Sequence, residues 1–479
     1  MYISQTDQTI RMVEVGRVLA DSTLIKGIIE RDRNSNKKKE MVEGVNYYEA
    51  KQDILNYDFR KFKIENATYT DSDAANNRVQ MPLHSLLVDQ KANYIANKDV
   101  TYTVNGSEAD TKLKKLERSL NKNLNYYFAP TLNDWIIGAS NKGIEWLHPY
   151  INSNGEFDYT IIPAEQIIPD YDNGYKSRLL SLMRYYPVDY QTSNGELKTK
   201  TRVEIWTKTE VTYYLENPES KNFYFEKIEP HFYETDSNNA VMGIPADWGK
   251  LPFIALKNNT EEINDLRKIK TLLDVYDKII SSGANSIEDI QEAIWVLKNY
   301  DGQDLAEFRK ALKIFKAIQT TGDEGGAEPK TIDIPFEARK ELLTILRKAI
   351  FVIGQGIDLS DESFYTSLSG VAIRARYAAG LDLKANKIIA NIKFALKDFL
   401  FFYVWYLNYT ERTDYDYEAI SYEINKSIIV DETELIQNLA MSPEMSEIAK
   451  MRKHPYINDV EQNIKELKEE KGQSVSFNE

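Results

Sequence analysis

Residues 334 to 408 hold two helical runs separated by a short polar loop, and no other stretch limits the possible folds as strongly. In the first run Leu342, Ile345, Leu346, Ala349, Ile350 and Ile353 recur at three- and four-residue steps, the spacing of one face of an amphipathic helix. Pro335 opens this run, and Gly354 with Gly356 supplies its stop signal. The linker Ile357 to Ser369 (IDLSDESFYTSLS) carries Asp358, Asp361 and Glu362. After Gly370 helical spacing resumes, and Ile388, Ile392, Ala395, Phe399, Phe402 and Tyr406 continue an apolar stripe. Gly380 interrupts it at a cost of roughly 1 kcal/mol relative to alanine. A helix of about 38 residues at 1.5 Å per residue would reach about 57 Å, the length of a strut.

On pattern alone these runs describe a helical hairpin in the core of a large soluble protein. The segment FYTSLSGVAIRARYAAGLDLKANKIIANIKFALKDFL (Phe364 to Leu400) also resembles the tunnel loop and long helix of portal proteins of tailed double-stranded DNA bacteriophages. NKKKEMVEGVNYYEAKQDIL (Asn36 to Leu55) is similar to their first helices, and NNRVQMPLHSLLVDQKANYIANKDVTYTV to a helix followed by a strand. NNTEEINDLRKIKTLLDVYDKIISSGANSIEDI (Asn258 to Ile290) is similar to a portal stem helix.

The order of the remaining segments can be read from period and punctuation. Residues 8 to 30 read as a helix, and a polar, basic break (RDRNSNKKKE) makes Lys37, Lys38 and Lys39 a solvated helix start. The next helix carries Met41, Val45, Tyr48 and Ile54. Leu83, Leu86, Leu87, Ala92 and Ile95 mark another, and Val100, Tyr102 and Val104 alternate as a strand. From Asn141 to about Tyr233 the period becomes two. A hairpin turns at Asn154-Gly155, and strands follow at Leu179 to Tyr186, Arg202 to Thr207, Val211 to Leu215 and Phe223 to Ile228. The 31 tyrosines fit half-buried strand positions there. Ile263, Leu266, Ile269, Leu272, Leu273, Tyr276, Ile279 and Ile280 form a helical stripe that Gly283 ends. A small module follows, with a strand at Ala293 to Leu297, a helix around Asp304 to Phe315 and a flexible TTGDEGGAEP. Tyr415 to Ile429 alternates. Residues 431 to 470 form two or three helices, with Asp431 and Glu434 as a capping pair, and GQSVSFNE is an unstructured end. The fold class is α+β.

Composition narrows function mainly by exclusion. Without cysteine there are no disulfides, thiol catalysis or cysteine-ligated metal, and a reducing compartment suits the chain. The most apolar stretch, Leu400 to Leu407, is too short to span a bilayer, and the first 30 residues lack a signal sequence, so the expectation is a cytoplasmic product. A formal charge of −14 opposes tight non-specific nucleic-acid binding. It leaves room for a conduit, since a passage that lets DNA slide needs weak or repulsive contacts; the acidic stretch 358 to 362 fits that logic and equally fits a solvated loop. No phosphate loop is present: in Gly243 to Lys250 (GIPADWGK) five residues separate the glycines and Leu251 follows the lysine, so this reads as a turn. His84, His148, His231 and His454 lack paired metal spacing, and no GxSxG elbow exists. The pairs Glu261/Asp265 and Asp274/Asp277 have the spacing of solvated helix faces.

Portal resemblance implies a fold with a helical stem, a long wing helix, a helical crown, a β-rich wing and a small α/β clip. Its divisions would be 1–257 wing, 258–290 first stem helix, 291–334 clip, 335–356 second stem helix, 357–370 tunnel loop, 371–430 long helix and return strand, and 431–479 crown and tail. It implies a ring of twelve copies at one capsid vertex of the virion, assembled in the host cytoplasm. Its partners would be double-stranded DNA, the terminase, the head-completion adaptor, scaffold and major capsid protein, with no membrane, cofactor, metal or catalysis of its own. The tunnel loop would present Asp358, Ser360, Asp361, Glu362 and Tyr365 to DNA. Lys268, Lys270, Arg339, Lys340, Arg347 and Lys348 on the stem would face the channel or a neighbouring copy. The rivals are a non-ring head scaffold protein and a packaging enzyme, and the missing phosphate loop counts against the latter.

Overall fold

A computed structural model describes residues 22–64, 67–72, 74–107, 110–172, 178–192, 194–235, 241–289, 294–298, 326–330, 336–360, 378–426, 432–454, 456–457 and 460–475. Two compact units interleave along the chain: residues 1–89, 134–356 and 391–418 form the first, and 90–133, 357–390 and 419–479 the second. The elements begin with α1 (Ser22–Arg33), α2 (Asn36–Tyr48), β1 (Lys61–Ile64), β2 (Ala67–Thr70), α3 (Leu83–Ala96), β3 (Thr101–Val104) and α4 (Thr111–Ser119). A π-turn at Leu120–Leu124 leads into α5 (Asn125–Lys142). A run of strands follows: β4 (Ile144–Ile151), β5 (Phe157–Ile162), β6 (Ile167–Tyr171), β7 (Leu179–Gln191), β8 (Leu197–Trp206), β9 (Glu210–Glu216), β10 (Phe223–Pro230), β11 (Phe232–Thr235), β12 (Val241–Ala246) and β13 (Ile254–Lys257). Then come α6 (Lys270–Asp289), β14 (Ile294–Lys298), β15 (Gly326–Lys330) and α7 (Phe336–Gly354). After a π-turn at Ala378–Asp382 the chain continues as α8 (Leu383–Glu411), β16 (Ile420–Glu423), α9 (Glu432–Ala440), α10 (Glu447–Lys453) and α11 (Val460–Val475). Helices and sheets are thus mixed as an α+β chain requires.

In the first unit the strands make a five-stranded antiparallel sheet, β10-β9-β8-β7-β6, and a three-stranded one, β13-β4-β5. Strand alternation sends Leu182 and Trp206 to one side of the larger sheet, where they join Trp146, Ile162, Leu251 and Phe253 in a common core. It sends Met183, Tyr185, Val203 and Ile205 to the other side, against Ile25 and Ile29 of α1. The part of α8 in this unit, from residue 391 on, lays Phe399, Phe402, Tyr403 and Trp405 among Phe157, Trp248 and Phe232, with ring centroids 4.9 to 5.8 Å apart.

Helices complete extended backbone twice by the same device. On α6, Asp277, Ser281 and Asn285 stand at i, i+4 and i+8. Asp277 Oδ1 accepts from Met81 N at 2.9 Å, Ser281 Oγ from Val79 N at 2.9 Å, and Asn285 Oδ1 from Asn77 N. In the second unit Glu117, Asn121 and Asn125 repeat that spacing across the π-turn. Glu117 accepts from Val104 N at 2.8 Å, Asn121 pairs with both Tyr102 N (2.9 Å) and Tyr102 O (2.7 Å), and Asn125 donates to Val100 O at 2.7 Å. The opposite edge of β3 pairs with β16, so backbone on both sides of this strand is bonded.

Several expectations are corrected by tertiary contacts. Lys38 is not solvated: it is 6% exposed, donating to Ala164 O at 2.6 Å and Ile167 O at 2.7 Å, with Asp32 at 3.3 Å. Lys37 pairs with Glu262. The helix expected to reach Ile54 ends at Tyr48, because Ala50 turns left-handed (φ 58°), and Ile54 lies in a 3₁₀ turn. Helix α6 runs through Gly283 to Asp289, and Ile263 precedes it. At Gly283 the absent side chain leaves room for Arg339, whose Nη1 would be 3.2 Å from a Cβ. Gly44 is a tighter case: a Cβ there would meet Asn141 O at 1.9 Å, so α2 needs glycine to pack against α5.

Asp274 and Asp277 are not a solvated pair, since Tyr47 and Lys270 bond Asp274 while Asp277 is 1% exposed. Likewise Asp265 accepts from Asn258 Nδ2 at 2.9 Å. Part of the stretch expected to be flexible, Gly326–Lys330, is a strand paired with Ile294–Lys298. Gly243 to Ala246 belongs to β12, and residues 472–475 to α11. Expectations at 8–21, 304–315, 370–377 and the Asp431 cap lie outside the described residues.

Two outcomes test the ladders. Replacing Asn121 by alanine strands both polar groups of Tyr102 and should cost about 2–4 kcal/mol in a denaturant melt, with Asn121→Asp intermediate because it can only accept. Burial raises the Asp277 carboxyl to about 7, against the Met81 N–H bond, with nearby Asp274 adding to the rise. The folded state therefore holds this proton more tightly than the unfolded one. That contribution is complete below about pH 4 and is lost as pH rises through 7, at up to roughly 1.4 kcal/mol per pH unit. Asp277→Asn keeps the acceptor and should flatten this slope in melts taken from pH 4 to 8.

Candidate functional site

The helices expected to form a stem pack in the first unit through Leu266, Ile269, Leu273 and Tyr276 on one side and Ile350 and Phe351 on the other. Tyr47, Leu83 and Leu87 complete this cluster, which fixes which faces of α6 and α7 remain open. On α7, Leu342, Ile345 and Val352 stay 44 to 67% exposed, and their spacing of three and seven puts them on one stripe. Lys348, three residues from Ile345 and four from Val352, belongs to that stripe.

The six cations expected on this surface fall into two groups. Lys268, Lys340 and Lys348 are exposed. Lys270 is engaged within its own chain by Asp53 (2.6 Å), Asp274 (2.9 Å) and Glu43 (3.4 Å), and lies 5.2 Å from the Tyr47 ring centre. Burial alone would lower its pKa, but hydrogen bonds to Asp53 and Asp274 outweigh that and hold the ammonium charged. Arg347 stacks over Phe351 at 5.3 Å. Arg339 is half-buried, with Nη1 lacking a hydrogen-bond partner among the described residues, beside a groove of about 340 Å³ lined by Tyr276, Phe336, Lys340, Leu343, Thr344 and Arg347.

Helix α7 ends as its glycines imply: Gln355 turns left-handed (φ 57°) and Gly356 N returns to Phe351 O at 3.0 Å. In the second unit, Gln90 grips the start of the following segment from both sides. Ile357 N donates to its Oε1 at 2.9 Å, and its Nε2 donates to Ile357 O at 2.7 Å. Asp358 then closes a turn by accepting from Ser360 N (3.0 Å) and Ser360 Oγ (2.8 Å). Asp361, Glu362 and Tyr365 lie outside the described residues. Sequence reasoning missed Gln90, whose amide can offer an acceptor and a donor to a single residue, a pairing no periodicity reveals.

Two histidines remote in sequence do meet. His148 and His231 flank Trp206 at 4.9 and 5.8 Å in a cleft of about 490 Å³ that includes Arg184, Glu204 and Trp248. Burial lowers His148 to about 4, and His231 is lowered for the same reason, so both rings are neutral hydrogen-bonding groups near pH 7. Among the described residues no group of three histidines or carboxylates could hold a metal ion, and no helix is long and apolar enough to cross a membrane.

Comparison with known proteins adds the family. Residues 29–476 match the family described as phage portal protein, SPP1 Gp6-like. A portal protein of Bacillus phage SPP1 is 30% identical over 470 residues, covering 96% of this chain and 89% of the relative. One from Clostridium phage phiCD119 is 30% identical over 465 residues, covering 93% and 95%. In a solved neck of an empty GTA particle, computed with C6 symmetry, one chain matches 78% of this one at 11% identity with a TM-score of 0.35, too weak a likeness to bear on the fold. A family match over nearly the whole chain, with two phage portal proteins at 30% identity, means that this chain belongs to the SPP1 Gp6-like portal family.

Proposed function

We propose that this chain works as a ring of twelve copies at one capsid vertex, a channel through which double-stranded DNA enters during packaging and leaves on ejection. The observation that carries this reading is the apolar stripe of Leu342, Ile345 and Val352, exposed among the described residues on a helix that buries Ile350 and Phe351 on its other side. A repeated head-to-tail contact covers such a stripe in every copy and closes into a ring. Lys348 lies on the stripe and is assigned to the subunit contact. Lys268 and Lys340 are exposed away from it and are assigned to the channel side. Lys270, Arg339 and Arg347 brace the stem within one copy.

In this reading residues 1–257 are the wing, 258–290 and 335–356 the stem, 291–334 the clip, 357–370 the tunnel loop, 371–430 the long helix with its return strand, and 431–479 the crown and tail. Asp358, Ser360, Asp361, Glu362 and Tyr365 face DNA, where acidic side chains repel phosphate and keep the grip weak. The terminase, and later the adaptor, dock on the clip and supply the motor and the seal; scaffold and capsid protein surround the wing. This chain contributes geometry and no reaction.

Light scattering of the purified protein should give a particle near twelve times the 55.4 kDa chain mass, with a central hole in negative stain. Ile345→Glu with Val352→Glu should return it to single copies without changing its circular dichroism. Wild-type protein that stays a single copy, with or without scaffold protein, would end the ring reading. Replacing Asp358, Asp361 and Glu362 together by lysine should leave rings intact and slow packaging in a reconstituted assay, increasingly so as salt is lowered. Unchanged packaging would remove the loop from the channel.

A further inference from the structure

Strands β1 and β2 form a two-stranded ribbon whose described side chains are exposed. Lys61, Phe62, Lys63, Ala67, Thr68, Tyr69 and Thr70 are all exposed. Cross-strand register places Phe62 opposite Tyr69, their rings 6.0 Å apart and nearly parallel, while Lys61 with Thr70 and Lys63 with Thr68 occupy the other face. A hairpin of this size is marginal on its own in water. Here its base is held firmly. Asn76 Oδ1 accepts from Phe59 N at 3.0 Å, Asp71 N donates to Arg60 O at 3.0 Å, and the residues just beyond are bolted to α6 by the Asp277, Ser281 and Asn285 rungs. The ribbon is a fixed arm with an aromatic face and two unpaired edges.

The same chain carries a matching acceptor. Strand β10 ends the five-stranded sheet and, among the described residues, pairs only with β9. It leaves Tyr224, Phe225 and Ile228 44 to 48% exposed, the pattern of a hydrophobic edge that soluble single-copy proteins avoid. Charge is complementary as well. Arg60 and Lys61 are paired with Asp58, but Lys63 has no acid partner among the described residues, and on β10 Glu226 and Glu229, bonded to Arg202 and Lys227, keep carboxylate oxygens that can accept a further cation. A donor edge and an acceptor edge that differ in position on one chain make a head-to-tail contact, which repeats around a closed ring.

We propose that the β1–β2 ribbon of one copy adds to the free edge of β10 on a second copy, extending the five-stranded sheet across the subunit boundary. Backbone hydrogen bonds would supply the register-tolerant part of the contact, and Phe62 and Tyr69 against Tyr224, Phe225 and Ile228 the apolar part. This inference rests on the ring reading and names a wing contact separate from the stem stripe.

Because the chain contains no cysteine, introduced thiols are unambiguous. Thr68→Cys and Tyr224→Cys are made in separate chains and co-expressed, then treated with a flexible bismaleimide. A two-chain product in denaturing gels is expected from the mixture and from neither variant alone. A chain carrying both substitutions should give a ladder of multiples. Adding Phe62→Glu and Tyr69→Glu should abolish the product while leaving the melting curve unchanged, since both side chains are exposed. Rings that form without any link overturn the wing contact and leave the ring. A doubly substituted chain linked only within itself, or a ribbon that links only to a different head protein, overturns the wing contact as well. Absence of any multi-copy particle overturns both.

Discussion

Polar side chains four residues apart on a helix can stand in for a β-strand because two repeats nearly match. Four helical residues rise about 6.0 Å, and two extended residues advance about 6.6 Å. Over three rungs the mismatch accumulates to about 1.2 Å, which rotamers of Asp, Asn, Ser and Glu can absorb. Asp277, Ser281 and Asn285 against residues 81, 79 and 77, and Glu117, Asn121 and Asn125 against 104, 102 and 100, are both three rungs long and both antiparallel. The consequence is architectural. Extended backbone can end against a helix with its hydrogen bonds made, so the chain carries a strap along α6 and a two-stranded sheet beside α4 and α5 without further strands.

Burial of charge follows the same logic of satisfying groups that water has left. Glu145 is 2% exposed and raised to about 7 chiefly by burial, yet Lys142 at 2.8 Å and Ala164 N at 2.7 Å hold it in place. Lys38 fastens α2 to the carbonyls of Ala164 and of Ile167, the first residue of β6, and Lys270 gathers three carboxylates at the head of α6. Cations in an acidic chain thus act as internal fasteners at element starts. That use leaves fewer of them for the surface, which is one reason a strongly negative protein can still be rigid at neutral pH.

Much of this was legible in sequence where periodicity and burial agree. Strands β4, β5 and β7 to β10, helix α7 with its glycine stop, and the apolar run of α8 follow from alternation or from three- and four-residue steps, because there one face is core and the other is not; β6 was not marked by any such pattern. The failures share one cause. Lys38, Asp274, Asp277 and Asp265 lie at positions where charge usually means solvent, and their partners come from segments far away in sequence, such as Met81 or Ala164. Helix ends were misjudged for a related reason: Gly283 lies inside α6, where its missing side chain makes room for Arg339, and Ala50 ends α2 through a left-handed turn that its residue type does not announce. The loop residues Asp358 and Ser360 were identified from resemblance, whereas the Gln90 clamp that fixes where the loop begins depends on a contact across more than 260 positions.

The usual polarity rule is inverted twice in this chain, and the two inversions have different meanings. Polar groups at buried Asp277 and half-buried Asn121 are explained inside one copy, since each finds backbone partners at hydrogen-bond distance. Apolar groups at Ile345, Val352, Phe62 and Phe225 stay about half or more exposed among the described residues, Phe62 and Phe225 touching only one ring each, Tyr69 and Tyr214. They also fall on regular elements, a helix stripe, a hairpin face and a sheet edge, where side-chain direction is set by the backbone and collapse inward is impossible. In the proposed ring a neighbouring copy supplies the matching surface that removes them from water.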